Sequence, residues 1–596
     1  MRGRFSPLGA LTELGVPEVV HAVVEQAQAE TAGRVLGAAW DLTWDKVLHL
    51  IFLPLLEATR PWQLRYTLGS GLLGICQTAY RFETIQRVLG ELAHARVGTP
   101  LRYGLCRVWV ETLVGPKLPL HLYIDVHLKP HWTQIFMPCG HVAMLNRVMP
   151  CTRQIIVTNP QGYVWEILDQ VGDAHLSHAL PAMEQELEQV TRHPVTLTIV
   201  DREANGLEVA QMYAKSRHFA LLTLLDDPVA EALIFGTPEA SEIFRLTGRW
   251  QPLMTERGMS LAPAVWGSAR TAPADPRVFW LVREDATNSL RAAYSLSQPV
   301  MDCAPDAAAL LHGSGARAVY RARWPAMEGV IRQMVAGANL NENYGYEVYA
   351  VPNRLRQRQF EEAAALVGVT QKQLDHVQEQ MAQAQTQLSE RAETLAAHQA
   401  GLAQVQVERE TERQARQQAG QAIRRVEQQL AAVERQSQIL DKRAAHLAER
   451  AQTGPLAKLT ARQGELETKL TERQAAVAAI DLTQPMFERN LAKDQIMVDF
   501  QAALLNAHHW CGDHYFSGEW SRLELETATA RIYRQRGHVL YTDVQVTVTL
   551  AAFADRAEQG LAEAACIKFN AAQIHDAAGR LIVMRVGPFA HCVRHL

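Results

Sequence analysis

Residues 118–130, LPLHLYIDVHLKP, decide the fold. Leu118, Leu120, Leu122 and Ile124 fall on alternate positions, the period of a strand with one face in a core, and the run then delivers an acid, Asp125. Side chains two apart share a face of a strand, so His127 lies on the same side as Asp125. A carboxylate on a core-like element is costly to desolvate and needs a metal or another cation beside it. Residues 195–201, VTLTIVD, repeat the design: Leu197, Ile199 and Val200 lead into Asp201, and Arg202 and Glu203 follow at once. Two apolar strands that each deliver one acid predict a carboxylate pair held on a rigid sheet.

Outward from these strands, residues 132–137, 154–158 and 163–167 read as further strands, the last two joined by the turn NPQG. A helix over 176–190, the Asp201 strand, a helix over 207–216 and a strand over 218–225 follow. Three strands, a helix, a strand, a helix and a strand is the order of an RNase H-like α/β fold. In that layout the first strand sits mid-sheet with the fourth beside it, which makes Asp125 and Asp201 neighbours. The expected organisation is a helical N-terminal domain (1–112), an RNase H-like core (113–235 and 301–352) split by a β-rich insertion (236–300), a coiled-coil hairpin (353–482) and a C-terminal α+β domain (483–596). Within the first domain, residues 72–95 carry helical spacing with Arg81 and Arg87 on the polar side, an ordinary helical pair or a helix-turn-helix. Heptad spacing carries the coiled-coil segment: Leu374, Met381, Leu388, Leu395 and Leu402, then Val426, Val433, Leu440 and Leu447, with Gly454-Pro455 ending the second helix; an antiparallel hairpin is the simplest geometry, and pairing between chains is the alternative.

Composition sets limits. A chain of 596 residues is too long for one core, and 48% hydrophobic content fits a folded protein. A net charge of −4 gives no general affinity for polyanions, so a nucleic-acid face must come from local Arg and Lys clusters. The eight cysteines are scattered with no CxxC pair, as for free thiols in a reducing cytosol. The start, MRGRFSPLG, has no apolar signal core, and residues 47–56 are too short to span a bilayer, so a cytoplasmic protein without a membrane segment is expected. Cys139, His141 and Cys151, and the run HHWCGDH with His508, His509, Cys511 and His514, lack zinc-site spacing.

Three blocks in order, YIDVHLKP, TIVDREANG and YRARWPAMEGVIRQM, resemble the catalytic blocks of bacterial insertion-sequence DDE transposases. The group with a β-rich insertion and a Tyr–Arg–Glu–Lys signature is the most similar. The resemblance implies metal-dependent cleavage and strand transfer at the ends of an insertion sequence. It implies Asp125, Asp201 and Glu328 as catalytic acids holding two Mg²⁺ ions, with Mn²⁺ as a substitute, and duplex DNA ends and target as partners of a homodimer in the cytoplasm, associated with the nucleoid when acting. His127, Arg202, Tyr320, Arg323 and Arg332, and also Arg354, Arg356 and Arg358 of NRLRQRQ, are the candidate DNA-contacting residues. Two departures stand out: Arg323 and Glu328 are separated by four residues where the family has three, and Val335 stands where it has Lys, with Arg332 as the replacement cation. Glu342 and Glu347 are alternative third acids. A catalytically silent, transposase-derived DNA-binding or scaffold protein is the alternative, and an RNase H-like nuclease with other substrates a further one.

Overall fold

The computed structural model describes residues 5–31, 40–56, 58–66, 80–116, 118–204, 220–225, 244–252, 258–266, 278–284, 293–297, 315–516, 525–528, 533, 535–576 and 579–588. The fold is mixed α/β, and the chain divides into two compact units, Met1–Ala350 with Phe487–Leu596, and Val351–Met486.

In the first unit, β1 (Leu120–Pro130) pairs antiparallel with β3 (Arg147–Thr158) and parallel with β5 (Val195–Val200). The short β2 (Cys139–Val142) and β4 (Val164–Val171) both pair with β3, and β6 (Ala220–Leu224) runs parallel to β5. The strand order across this part is therefore β4-β3-β1-β5-β6. Beyond β6 the sheet turns antiparallel, continuing through β11 (Ala293–Ser297), β10 (Val278–Glu284), β9 (Met259–Trp266) and β7 (Phe244–Leu246), with β8 (Gln251–Pro252) also on β9. The NPQG turn forms as its sequence dictates: the Asn159 carboxamide oxygen accepts from the amides of Gln161 and Tyr163, and Gly162 takes φ +86°, which favours glycine.

Residues 132–137 are not a strand. They run irregularly between Pro130 and Pro138 and leave Trp132 74% exposed, and their expected place beside β1 is filled by β3, which extends back to Arg147. Prolines at both ends withhold ladder donors, and β1 already has a partner on each edge. The expected helix over 207–216 and residues 72–79 of the 72–95 segment lie outside the described residues.

Alternation along β1 separates two layers. Leu120, Leu122 and Ile124 face Ile155, Val157, Trp165, Val195 and Val200 together with α6 (Leu176–Thr191), whose Leu180, Met183 and Leu187 are buried. Tyr123 on the opposite face joins Ile156, Leu197, Ile199 and Leu222 beneath α7 (Gly315–Arg323) and α8 (Gly329–Gly337). The N-terminal helices α1 (Phe5–Glu13), α2 (Val16–Glu30), α3 (Trp40–Ile51), α4 (Phe82–His94) and α5 (Gly98–Leu113) extend this second core.

A single helix, α12 (Ala492–Trp510), runs through that core, buried from Asp494 to His508. Two of its carboxamides bond to the backbone of β4. The Asn506 carboxamide accepts from the Val164 amide and donates to the Val164 carbonyl, at 2.8 and 2.7 Å. Gln495 does the same for Asp169 and Ile167, at 3.0 and 2.7 Å. Two carboxamides thus complete the outer edge of β4 in place of a further strand.

Buried acids crowd the same layer. Burial pushes the Asp169 carboxyl up to about 6 against the pull of Lys129. A group that binds its proton more tightly folded than unfolded loses stability as pH rises from the unfolded value through the folded one. Asp169→Asn is therefore expected to raise the unfolding free energy near pH 8 by about 1–3 kcal/mol and to change it little near pH 4, as read by urea unfolding at the two pH values.

The second unit is a helical hairpin. The helix α9 (Arg354–Gln418) turns back over 419–423 into α10 (Arg424–Thr453) and, after the break at Gly454-Pro455, α11 (Pro455–Ala478). Leu374 and Val377 pack against Leu466 near the base, and Gln399 donates to Asp441 farther out, so the heptads pair antiparallel within the chain. The polar stretch 408–418 stays helical, laced by Arg409–Glu412 and Arg416–Glu412 ion pairs at 2.6 and 2.7 Å. The last strands, β12 (Gly537–Tyr541), β13 (Gln545–Leu550) and β14 (Leu581–Val586), form a three-stranded sheet of the first unit, crossed by α13 (Arg556–Ala571).

Among the described residues no helix is long and apolar enough to cross a membrane.

Candidate active site

The register of two parallel strands brings the first two acids together. Ile124 of β1 lies opposite Val200 of β5, so the next residues, Asp125 within β1 and Asp201 just past the end of β5, come side by side. Each carboxylate accepts from the amide that follows it, Val126 and Arg202, both at 2.8 Å. The Asp201 carbonyl accepts from the Thr223 hydroxyl at 3.0 Å, which ties the strand end to β6.

The third acid comes from the segment that joins α7 to α8. Residues Trp324–Glu328 form a π turn closed by the Gly329 amide donating to the Trp324 carbonyl. In a regular α-helix, residues five apart point about 140° away from one another. The wider turn stacks them instead, and Arg323 Nη2 lies 2.8 Å from Glu328 Oε1. The π turn absorbs the one residue by which this chain exceeds the spacing it resembles. Pro325 within it has no amide to give to the regular ladder, a local reason for the ladder to slip.

Two hydroxyls pin this segment to the sheet. Tyr123 donates to the Val319 carbonyl at 2.8 Å and Thr158 to the Ala326 carbonyl at 2.7 Å. Neither role follows from local pattern, although Tyr123 shares the strand face of Asp125. Thr158→Val is expected to leave the Ala326 carbonyl buried without that donor and to cost about 1–3 kcal/mol in urea unfolding.

All three acids close around one cation. Arg323 Nη1 lies 2.7 Å from Asp125 Oδ2, and Nη2 lies 3.2 Å from Asp201 Oδ2 as well as 2.8 Å from Glu328. The Arg323 side chain is only 8% exposed. Burial of that depth works against its charge, but Asp125, Asp201, Tyr320 and Glu328 together outweigh it and raise its pKa. Burial raises the carboxyls of Asp125 and Glu328, and Arg323 opposes the rise in both. The Tyr320 hydroxyl donates to Asp201 Oδ1 at 3.0 Å. The cation that a buried Asp125 requires is thus an arginine supplied from 198 residues away in sequence.

The remaining candidates are dispersed. His127 Nε2 meets Asn341 Oδ1 at 2.7 Å, and burial lowers its pKa. Arg202 is exposed, and Glu203 pairs with Arg153. Arg332 is exposed one helical turn beyond Glu328. Glu342 is engaged by Arg60 at 2.7 Å and Glu347 by Lys493 at 3.6 Å. Arg354, Arg356 and Arg358 belong to the first turns of α9 in the second unit, where Asn353 caps the helix by accepting from the Arg356 amide. His508 bonds to Tyr533 at 2.8 Å and His514 stacks on Trp510, so HHWCGDH is engaged in packing.

Among the described residues no three His, Cys, Asp or Glu side chains are gathered tightly enough to hold a metal ion. The acid trio nonetheless fits one by donor type. It offers only carboxylate oxygens, the set that Mg²⁺ and Mn²⁺ favour, and they already converge on one positive group. No protein-family model matches the chain, and no curated protein matches it. Among solved structures it is similar to a piggyBac transposase in a synaptic complex with hairpin DNA, at 12% identity and a TM-score of 0.26 over 55% of this chain and 76% of that one, a likeness too low to carry an argument.

Proposed function

We propose that this protein is a DDE transposase with an RNase H-like core, cutting DNA at the ends of an insertion sequence and joining the freed ends to a target. The observation that carries the reading is the meeting of Asp125, Asp201 and Glu328, remote in sequence, on one side of a sheet ordered β4-β3-β1-β5-β6. The resemblance of the three sequence blocks names the same residues.

The chemistry follows from the donor set. Phosphoryl transfer needs a water or 3′-hydroxyl in line with a leaving oxygen, and a bound pair of Mg²⁺ ions supplies charge stabilisation at both oxygens. Asp125, Asp201 and Glu328 would together hold the ions, through carboxylate oxygens that now converge on Arg323. Tyr320 orients Asp201 through its hydroxyl. The sheet and the pinned π turn keep these side chains on rigid elements. Arg202 and Arg332, both exposed, offer phosphate contacts near the acids, and Arg354, Arg356 and Arg358 offer more on the second unit. An element with two ends and one such centre per chain calls for a homodimer on duplex DNA.

The grip of Arg323 on all three acids is the feature that favours the silent scaffold as a second reading. Labelled duplexes carrying the sequences that flank the gene, incubated with the full chain in Mg²⁺, Mn²⁺ or EDTA, separate the readings. Metal-dependent nicking at a fixed position in the end sequence is expected. Binding without cleavage in both Mg²⁺ and Mn²⁺ would leave the scaffold, and cleavage indifferent to end sequence would make the protein a general nuclease.

A further inference from the structure

We propose that Arg323 is a placeholder cation: its guanidinium occupies the position of the divalent ions, and the site opens to metal only as Arg323 leaves. This rests on the reading of Asp125, Asp201 and Glu328 as the metal ligands. It adds that the same three carboxylates have two mutually exclusive partners, one internal and one from solution.

The geometry points this way through saturation of the site. One guanidinium spends both terminal nitrogens on the trio, Nη1 on Asp125 and Nη2 on Asp201 and Glu328. Each acid therefore directs an oxygen at the arginine, and a cation that draws these oxygens together must take the space the arginine fills. Charge gives the same answer. Three carboxylates around one guanidinium leave the cluster at −2, whereas two divalent ions added to them would bring it to +2 if the guanidinium stayed. The guanidinium itself is only 8% exposed, so little water lies around it to screen that repulsion, although Asp201 and Glu328 face solvent at 44% and 31%.

The surroundings allow a move. Arg323 is the last residue of α7, and the next turn is the π turn, whose Trp324 side chain is 70% exposed. A π turn holds a helical segment in a less regular ladder than the α-helix on either side, so a side chain at its edge can be re-aimed without unwinding α7 or α8. Tyr123 and Thr158 keep the backbone on the sheet meanwhile.

Calorimetric titration of the metal-free full-length protein with Mn²⁺ tests this, on wild type, Arg323→Gln and Arg323→Lys. The glutamine variant is expected to bind Mn²⁺ about tenfold or more tightly than wild type, because it removes the competing charge. The lysine variant, a point charge that cannot span three carboxylates, is expected to fall between them. Thermal unfolding gives an independent reading. In EDTA the glutamine variant is expected to melt several degrees below wild type, since three acids lose their shared cation, and saturating Mn²⁺ is expected to restore it. Equal or weaker Mn²⁺ binding by both variants, with wild type binding normally, overturns the placeholder and leaves the metal site standing. If the glutamine variant does not fold, the lysine variant decides alone by the same comparison. Absence of Mn²⁺ binding in wild type and every folded variant overturns the metal reading and this proposal with it.

Discussion

Asp125→Asn is expected to abolish metal-dependent strand cleavage while DNA-end binding persists, a loss of about 10³-fold or more in rate, or about 4 kcal/mol of transition-state stabilisation. The substitution is close to isosteric, and its amide oxygen can still accept from Val126, so β1 keeps its local geometry. What disappears is one of the three negative charges that converge on Arg323. Folding should suffer little, because Arg323 retains Asp201 and Glu328 at 3.2 and 2.8 Å. A small change in unfolding midpoint beside a large loss of cleavage separates a catalytic acid from a structural one. The same experiment on Asp201→Asn should give the same split. Nicking by either variant at the wild-type rate in Mg²⁺ would remove the acids from the mechanism.

Lys129→Met carries the largest expected effect on stability. Lys129 and Asp494 join β1 to α12 at 2.7 Å with side chains 1% and 3% exposed, and Asp494 also accepts from the Tyr344 amide at 3.1 Å. Burial would raise the Asp494 carboxyl, but the charge and hydrogen bond of Lys129, with Arg489 and that amide, overcome it and hold the group below the ordinary range. A depressed carboxyl gives stability that is complete above its unfolded pKa and is lost as pH falls through the folded value. Removing the lysine leaves a buried carboxylate with Arg489 at 3.9 Å as its remaining ion pair among the described residues, a situation that costs about 3–5 kcal/mol. Against a total stability of about 5–15 kcal/mol, that is enough to lower the urea midpoint sharply at pH 7. Adding Asp494→Asn, which drops the charge but keeps an oxygen for Tyr344, should recover part of the loss. A single variant as stable as wild type would show that the pair is dispensable.

The two substitutions also mark what could be read in advance. Lys129, His127 and Asp125 sit on alternate positions of one strand, so their common face follows from the sequence alone. Asp494 lies in the first turn of α12 between Lys493 and Gln495, an ordinary place for an acid, and nothing in its own neighbourhood names Lys129 as the partner. The π turn was foreshadowed by the extra residue between Arg323 and Glu328 and by Pro325, yet the spacing alone reads as a defect in the signature.

By itself, the sequence determined the elements whose pattern reports on their own faces: the alternating strands that deliver Asp125 and Asp201, the Asn-Pro-Gln-Gly turn, and the heptads of α9 and α10. Tertiary structure alone decided that the heptads pair within the chain, that α12 runs through the core and completes the edge of β4, and that Arg323 is the shared partner of three acids. The physical reason is range. Period and propensity are set by neighbours a few residues away, whereas a buried charge finds its counter-charge through the packing of segments hundreds of residues apart, and that choice is written in no local pattern.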